Sequence, residues 1–481
     1  AKLRTRYFKM KRLMTLTAFA AVLACSEADA SGFFLKEQSA SAQGNAFAGA
    51  TAGAEDISYS FYNPAVLARH PGTHVYAGGT WISPRSTAKN AFNEYGDESG
   101  YVDNIVHAAM SPHFYLSRQI SDKVTAGISL NVPYGMITKY DSRWAGRFHG
   151  TVSKVTTATV TPMVAYKASD KLALGAGMQI QYIKAILRNG VRQATPLGTV
   201  EDNASLKGDT LDVGYQLGAL YEFTPETRVG LGYRSQIRHK LQGDVSFDGA
   251  MGPGGLLSQL GALGPNGLNQ DISARLTTPA SFTAGVYHQL NDRWAVMAEY
   301  SRVFWSKFKN LNIVGENTPN LSFTEENWKD TDFYAVGASY QLDDQWKLRL
   351  GLALDKSAVG DEYRTPRIPD ADRIWYSAGL EYQYNEKLTF NLGYTYIHAD
   401  KSKVSLRGDH IGDASRGALN VDYSNRINIF AFSLNYNFCP KSAYTKLSKK
   451  ESRRFWINPK TKLPFPLKET AVFNHPAFSS I

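Results

Sequence analysis

Residues 171–182, KLALGAGMQIQY, place Leu172, Leu174, Ala176, Met178, Ile180 and Tyr182 on one side of an extended chain. Lys171, Ala173, Gly175, Gly177, Gln179 and Gln181 fall on the other. A period of two sustained over this length marks a strand with one oily face and one small or polar face. Residues 346–355, WKLRLGLALD, repeat it: Trp346, Leu348, Leu350, Leu352 and Leu354 oppose Lys347, Arg349, Gly351, Ala353 and Asp355. In a soluble sandwich the oily faces meet in a shared core. In a barrel spanning lipid they point outward, and the polar faces line a lumen.

The connections decide between the two. Six short turn signals interrupt such runs: Ser121-Asp122-Lys123, Ser169-Asp170-Lys171, Thr224-Pro225-Glu226, Asn291-Asp292-Arg293, Asp343-Asp344-Gln345 and Asn385-Glu386-Lys387. Between them lie connections of roughly 15–25 residues, so short and long links alternate, as periplasmic turns and extracellular loops do. Aromatic residues gather at strand ends (Trp294, Trp346, Tyr166, Phe223, Tyr382, Tyr384, Tyr436 and Phe438), where interfacial girdles require them. The expected strands are 73–83, 107–118, 123–135, 154–168, 172–187, 213–223, 228–246, 273–290, 294–307, 331–342, 346–356, 373–384, 388–400 and 426–438. The sequence thus predicts an all-β, 14-stranded antiparallel transmembrane β-barrel in the outer membrane of a Gram-negative bacterium, its even strand count closing the ring.

The 481-residue chain carries a formal net charge of +10, but unevenly. Residues 1–30 hold +4 and residues 439–481 hold +7, leaving −1 for the body. A nucleic-acid partner therefore finds no basic surface there. Both cysteines, Cys25 and Cys439, also lie outside residues 31–438, so the body has no thiol nucleophile, disulfide or cysteine metal site. The start, KMKRLMTLTAFAAVLACSEADA, reads as a signal peptide cleaved after Ala30. The alternating end INIFAFSLNYNF stops at Phe438, and the basic, aperiodic stretch from Cys439 reads as a non-native extension.

Residues 31–72 precede the first strand, lack period-two alternation and are rich in Ala, Gly and Ser. Fourteen strands enclose a lumen wide enough for such a segment, which suggests an N-terminal lumen plug (hatch) ahead of the barrel at 73–438. One outer loop is distinctive: Ala250 to Gln270 is free of charge, with Leu256, Leu257, Leu260 and Leu263 at helical spacing, an apolar patch suited to capturing a ligand.

Ser31-Gly32-Phe33, Asn63-Pro64-Ala65, Trp144-Ala145-Gly146-Arg147, the strand SRVFWSKFKNL (301–311) and the segment IPDADRIWYSAG (368–379) together resemble FadL-type outer-membrane transporters of long-chain fatty acids, including their hydrocarbon-uptake branch. The resemblance implies capture by apolar loops, a pocket in the barrel, rearrangement of a hatch bearing Asn63, Pro64 and Ala65, and sideways release at a kink in the third strand. That kink would fall at Pro133, Tyr134 and Gly135, where Pro133 lacks a ladder donor and Gly135 leaves a gap. It also implies a basic head-group residue near the outer end of the fifth strand, which puts forward Lys184 and Arg188. A second basic residue before the tenth strand has no clear match: Lys329 is close, Thr324 is the better equivalent, and the ligand would then be less anionic than a fatty acid.

The expected function is passive uptake of a hydrophobic small molecule, a fatty acid or hydrocarbon, by a monomer surrounded by outer-membrane lipid and lipopolysaccharide. Neither a cofactor nor a metal is called for. A general aqueous porin is the main alternative, and an outer-membrane barrel enzyme the second. No G-x-S-x-G, H-E-x-x-H or phosphate-loop pattern supports catalysis.

Overall fold

The computed structural model describes residues 32–95, 99–196 and 198–438. The segments expected to be a signal peptide and a non-native extension lie outside the described residues. Fourteen strands form the wall: β1 (Thr73–Asn93), β2 (Ala109–Gln119), β3 (Val124–Asn131 and Gly135–Lys139), β4 (Val152–Lys167), β5 (Leu172–Thr195), β6 (Gly198–Glu222) and β7 (Thr227–Arg234 and Ile237–Phe247). The ring continues through β8 (Gln270–Thr278 and Ser281–Gln289), β9 (Trp294–Val303), β10 (Thr331–Gln341), β11 (Trp346–Asp355), β12 (Arg373–Gln383), β13 (Leu388–Ala399) and β14 (Leu419–Asn437). Each pairs antiparallel with its sequence neighbours, and β14 closes on β1 with Ala431 opposite Thr80. In lipid this closure matters, because an open edge would leave backbone donors and acceptors unpaired.

The faces are inverted relative to a soluble protein. Leu350 is 64% exposed and Val213 65%, whereas Gln181 on the lumen side is 0% exposed. Cross-strand aromatic pairs ring the short-turn end, including Trp294–Tyr340 at 4.7 Å and Trp346–Tyr382 at 4.4 Å between ring centroids. One connection departs from expectation. The long loop anticipated between the fifth and sixth strands is a continuation of both, a projecting hairpin with Thr195 opposite Gly198. Polar and apolar residues alternate along it as they do in the wall below, but above the lipid zone nothing forces the oily face outward.

Residues 32–69 lie inside the ring and are almost entirely buried. A short helix, Ala40–Gly44, is capped by the Ser39 hydroxyl, and 3-10 turns at Ile57–Phe61 and Pro64–Arg69 are capped by Asp56 and Asn63. Small side chains let this segment approach the wall backbone. A Cβ at Gly218 would strike the Asn63 side chain, and one at Gly175 would strike the Pro64–Ala65 peptide.

Buried charge ties the segment to the wall. Arg349 of β11, fully buried, contacts Glu55 of the inner segment and Glu381 of β12, with Lys347 3.6 Å from Glu55 and 3.4 Å from Glu381. Arg228 of β7 donates to the carbonyls of Ala52 (2.7 Å) and Gly53. Removing one member of such a cluster leaves a buried charge uncompensated, at a cost of about 3–5 kcal/mol. Arg349→Met is therefore expected to lower the temperature at which the folded gel band is lost. Adding Glu381→Gln, which leaves Lys347 paired with Glu55, should restore most of it; equal loss in the single and double variants would show that charge compensation is not the cause.

Candidate functional site

An apolar cavity lies in the half of the lumen nearest the long loops, with about 720 Å³ of empty space that includes volume open to solvent. Inward residues of β4 to β8 line it, among them Val155, Leu187, Leu206, Leu241 and Leu276, with Phe308 and Ile313 from the connection after β9. Phe33, from the start of the inner segment, closes it on one side. The Phe33 ring sits among Trp305 (4.8 Å), Tyr134 (5.8 Å), Trp328 (6.1 Å) and Phe308 (6.3 Å), so one side chain of the inner segment fills an aromatic socket beside the cavity.

Directly behind Phe33 the wall is broken. The β2–β3 ladder ends at Phe114 opposite Leu130. Extending that register would set Pro112 against Val132, so the seam carries Pro112 on one side and Pro133 on the other, neither with an N–H to give. Along β4 the register passes from Asn131–Thr159 to Gly135–Thr156, so β3 holds one residue too many at this point, a bulge. Above it β3 turns inward, and residues 131–138 are all buried.

The edge that β2 abandons is taken up by the inner segment. Leu35 N donates to Pro133 O (2.8 Å) and Gly135 N to Phe33 O (3.0 Å). The Gln38 amide copies a ladder rung, donating to Val132 O (2.8 Å) and accepting from Val132 N (3.2 Å). Residues 33–38 thus stand in for the missing strand, and the broken seam stays satisfied while they remain in place.

The residues singled out from sequence fall into three groups. Pro133, Tyr134 and Gly135 form the bulge, with Tyr134 OH donating to Pro279 O (3.1 Å). Asn63, Pro64 and Ala65 are an anchor: the Asn63 amide donates to Thr51 O (2.8 Å) and to Ala219 O of β6 (2.9 Å). Of the loop leucines, Leu257 is buried in a cluster with Leu206, Phe247 and Ile313, against which Leu263 packs, while Leu256 and Leu260 are exposed. Leu206 and Ile313 also line the cavity, so apolar contact is continuous from the loop inward.

Lys184 and Arg188 require a correction. The inward positions of β5 here are Ile183, Ala185 and Leu187, and the two cations sit on the exposed outer face. The alternation set by Leu172 and Leu174 runs unbroken as far as Arg188 and carries the even positions outward. The charged groups at the cavity are instead Arg367, Glu326 and the exposed Lys207 of β6; Arg367 and Glu326 were not anticipated, because both lie in irregular connections with no period to read. Arg367 Nη1 donates to Ser153 Oγ (3.0 Å) and Nη2 to Asn189 Oδ1 (3.1 Å). Burial, and next the nearby Arg416 charge, lower its pKa to about 9. Pro112 was also missed, although a proline inside the alternating run of β2 is itself a sign of an interrupted ladder.

Residues 21–438 match the family model described as outer membrane protein transport protein (OMPP1/FadL/TodX). A long-chain fatty acid transport protein of Escherichia coli O6:H1 is 27% identical over 450 residues, covering 89% of this chain and 99% of that protein. Outer membrane protein P1 of Haemophilus influenzae is 27% identical over 466 residues, covering 88% and 99%. The crystal structure of a Pseudomonas aeruginosa FadL homologue shares the fold with a TM-score of 0.77 at 24% identity, covering 85% of this chain and all of that one. The Ralstonia pickettii toluene transporter TbuX does so with a TM-score of 0.57 at 20% identity, covering 80% and 94%. With the closed barrel, its outward oily faces and its occupied lumen already in view, the chain belongs to the OMPP1/FadL/TodX family of outer-membrane transport proteins.

Proposed function

We propose that this protein takes up long-chain fatty acids or hydrocarbons passively across the outer membrane, with capture at Leu256 and Leu260, residence in the apolar cavity and sideways release through the β2–β3 seam. The observation that carries the reading is the succession of cavity, Phe33 and broken wall in one line of contacts. Relatives named as transporters of long-chain fatty acids and of toluene support a hydrophobic cargo. A general porin fits less well, because the inner segment occupies the bore that an aqueous pore needs open.

Release requires residues 33–38 to leave the β3 edge, which frees Val132, Pro133 and Gly135 and vacates the socket held by Phe33. The seam then opens toward lipid, and an apolar chain leaves without crossing the bolted part of the hatch around Glu55 and Arg349.

Arg367 is the head-group partner in this reading. Arg367 is half-buried and, among the described residues, hydrogen-bonded only to neutral acceptors, so an anionic chain end would compensate its charge. Two variants test the assignment. Ala185→Phe, on the cavity wall, is expected to abolish saturable uptake of a radiolabelled fatty acid. Arg367→Met should weaken binding of a long-chain anion by about 2 kcal/mol, roughly thirtyfold in Kd. Normal uptake by the first would remove the cavity from the route.

A further inference from the structure

Arg367 and Glu326 are charged groups of a mostly oily cavity that Lys207 also lines from an exposed position, and they do not form a direct ion pair: among the described residues no carboxylate lies within 4.0 Å of the Arg367 guanidinium. Arg367 is held by neutral acceptors on β4 and β5. Glu326, 3% exposed, accepts from Trp328 Nε1 (3.0 Å), and its backbone is fixed by Glu326 N donating to Lys309 O (2.9 Å). Its neighbours do not share its position: Lys309 is exposed, and Glu325 turns to the Ile411 amide.

We propose that Glu326 selects the charge of the ligand head group, the cavity taking an anionic chain end well only when this carboxyl carries its proton and a neutral chain in either state. The proposal rests on Arg367 being the head-group partner. The charged groups acting on Glu326 come from two packed loops: Arg367 from one, Arg416 and Asp413 from the other. Asp413 and Arg416 approach each other to 3.7 Å and largely cancel. Lys207 is exposed and screened by water, so what remains is one part-buried cation, Arg367, and one buried ionisable acid. With the acid ionised the site is neutral; with the acid protonated it holds a single uncompensated positive charge.

The acid is poised to make that change in the ordinary range. Burial pushes the Glu326 carboxyl up to about 7, against the pull of the Trp328 N–H, Arg367 and Arg416. An anion seated at Arg367 repels the ionised carboxylate and so favours its protonated form. Affinity for an anionic chain is therefore highest below about pH 7 and falls as the pH rises through that value.

The test uses a long-chain alkanesulfonate, whose own charge does not titrate in this range, and a long-chain alcohol of equal length, bound to the intact protein in non-ionic micelles. Sulfonate affinity should rise about tenfold from pH 8 to pH 6, the effect of one nearby charge. Alcohol affinity should stay level. Glu326→Gln should bind the sulfonate tightly at both pH values. Trp328→Phe, which removes the donor that favours the carboxylate, should move the midpoint to higher pH. Wild-type pH dependence persisting in Glu326→Gln, an unmoved midpoint in Trp328→Phe, or an alcohol that follows the sulfonate would each overturn the proposal. Unchanged sulfonate affinity in Arg367→Met would instead overturn the head-group assignment beneath it, so the two failures are told apart.

Discussion

A protein lacking residues 31–72 should conduct ions steadily in a planar bilayer, whereas the intact chain should hold the baseline flat. The barrel does not need the inner segment to close: β14 pairs with β1 from His74–Asn437 up to Asn93–Leu419, and the remaining ladders run strand to strand. The heat-modifiable shift of the folded form on a gel should survive the deletion. What goes is the material in the bore, together with Phe33 from the cavity wall and the Leu35 and Gln38 bonds that occupy the β3 edge. Arg349 and Glu381 remain on the wall and hydrate with the opened lumen, so the cluster loses Glu55 without leaving a dry, unpaired charge. Water then reaches the cavity, and saturable uptake of a long-chain fatty acid should vanish with the plug. A deletion variant that assembles, stays non-conducting and transports normally would refute the hatch role of this segment.

The barrel was legible because lipid imposes one rule on every strand. Oily residues outward and polar or small residues inward give the same period two in KLALGAGMQIQY, WKLRLGLALD and INIFAFSLNYNF, and the turn residues punctuate it. The same rule, carried on from Met178, Ile180 and Tyr182, puts Lys184 and Arg188 on the outside; only the resemblance pointed them inward. Inside the barrel no comparable rule operates. Whether Asn63 anchors or gates depends on which wall glycine it meets, and Gly218 and Gly175 are ordinary strand residues until the fold sets them opposite Asn63 and Ala65. Glu326 and Arg367 are brought to one cavity by two connections that sequence cannot register against each other. The broken seam was half visible: Pro133 announced it, but the extra residue in β3 and the matching Pro112 on β2 become meaningful only once both ladders are counted.

That extra residue supports the second large prediction. From Asn131 to Gly135, β3 advances four residues while β4 recedes three, from Thr159 to Thr156. Below the bulge the odd positions of β3 face inward, as buried Thr125, Ser129 and Asn131 show, whereas above it Met136 lines the cavity. The bulge therefore switches the inward parity from odd to even. Deleting Pro133 removes the surplus residue and the missing donor in one step and keeps Met136 on the cavity side. Tyr134 would then fall opposite Thr157 and Val132 opposite Ala158, giving β3 an unbroken register with β4 and straightening its upper half toward β2. Replacing Pro112 with Val in the same protein supplies the remaining donor. A wall mended in this way keeps the loop patch, the cavity and Arg367, so binding of a long-chain ligand in detergent should persist. Delivery into the membrane should fall to the level of vesicles without the protein, since the ligand enters and cannot leave sideways. Substituting Val at both Pro133 and Gly135, which fills the gap without correcting the register, should block delivery less completely. If the Pro133 deletion, folded and still binding ligand, delivered it at the normal rate, the exit would lie elsewhere in the wall or through the plug.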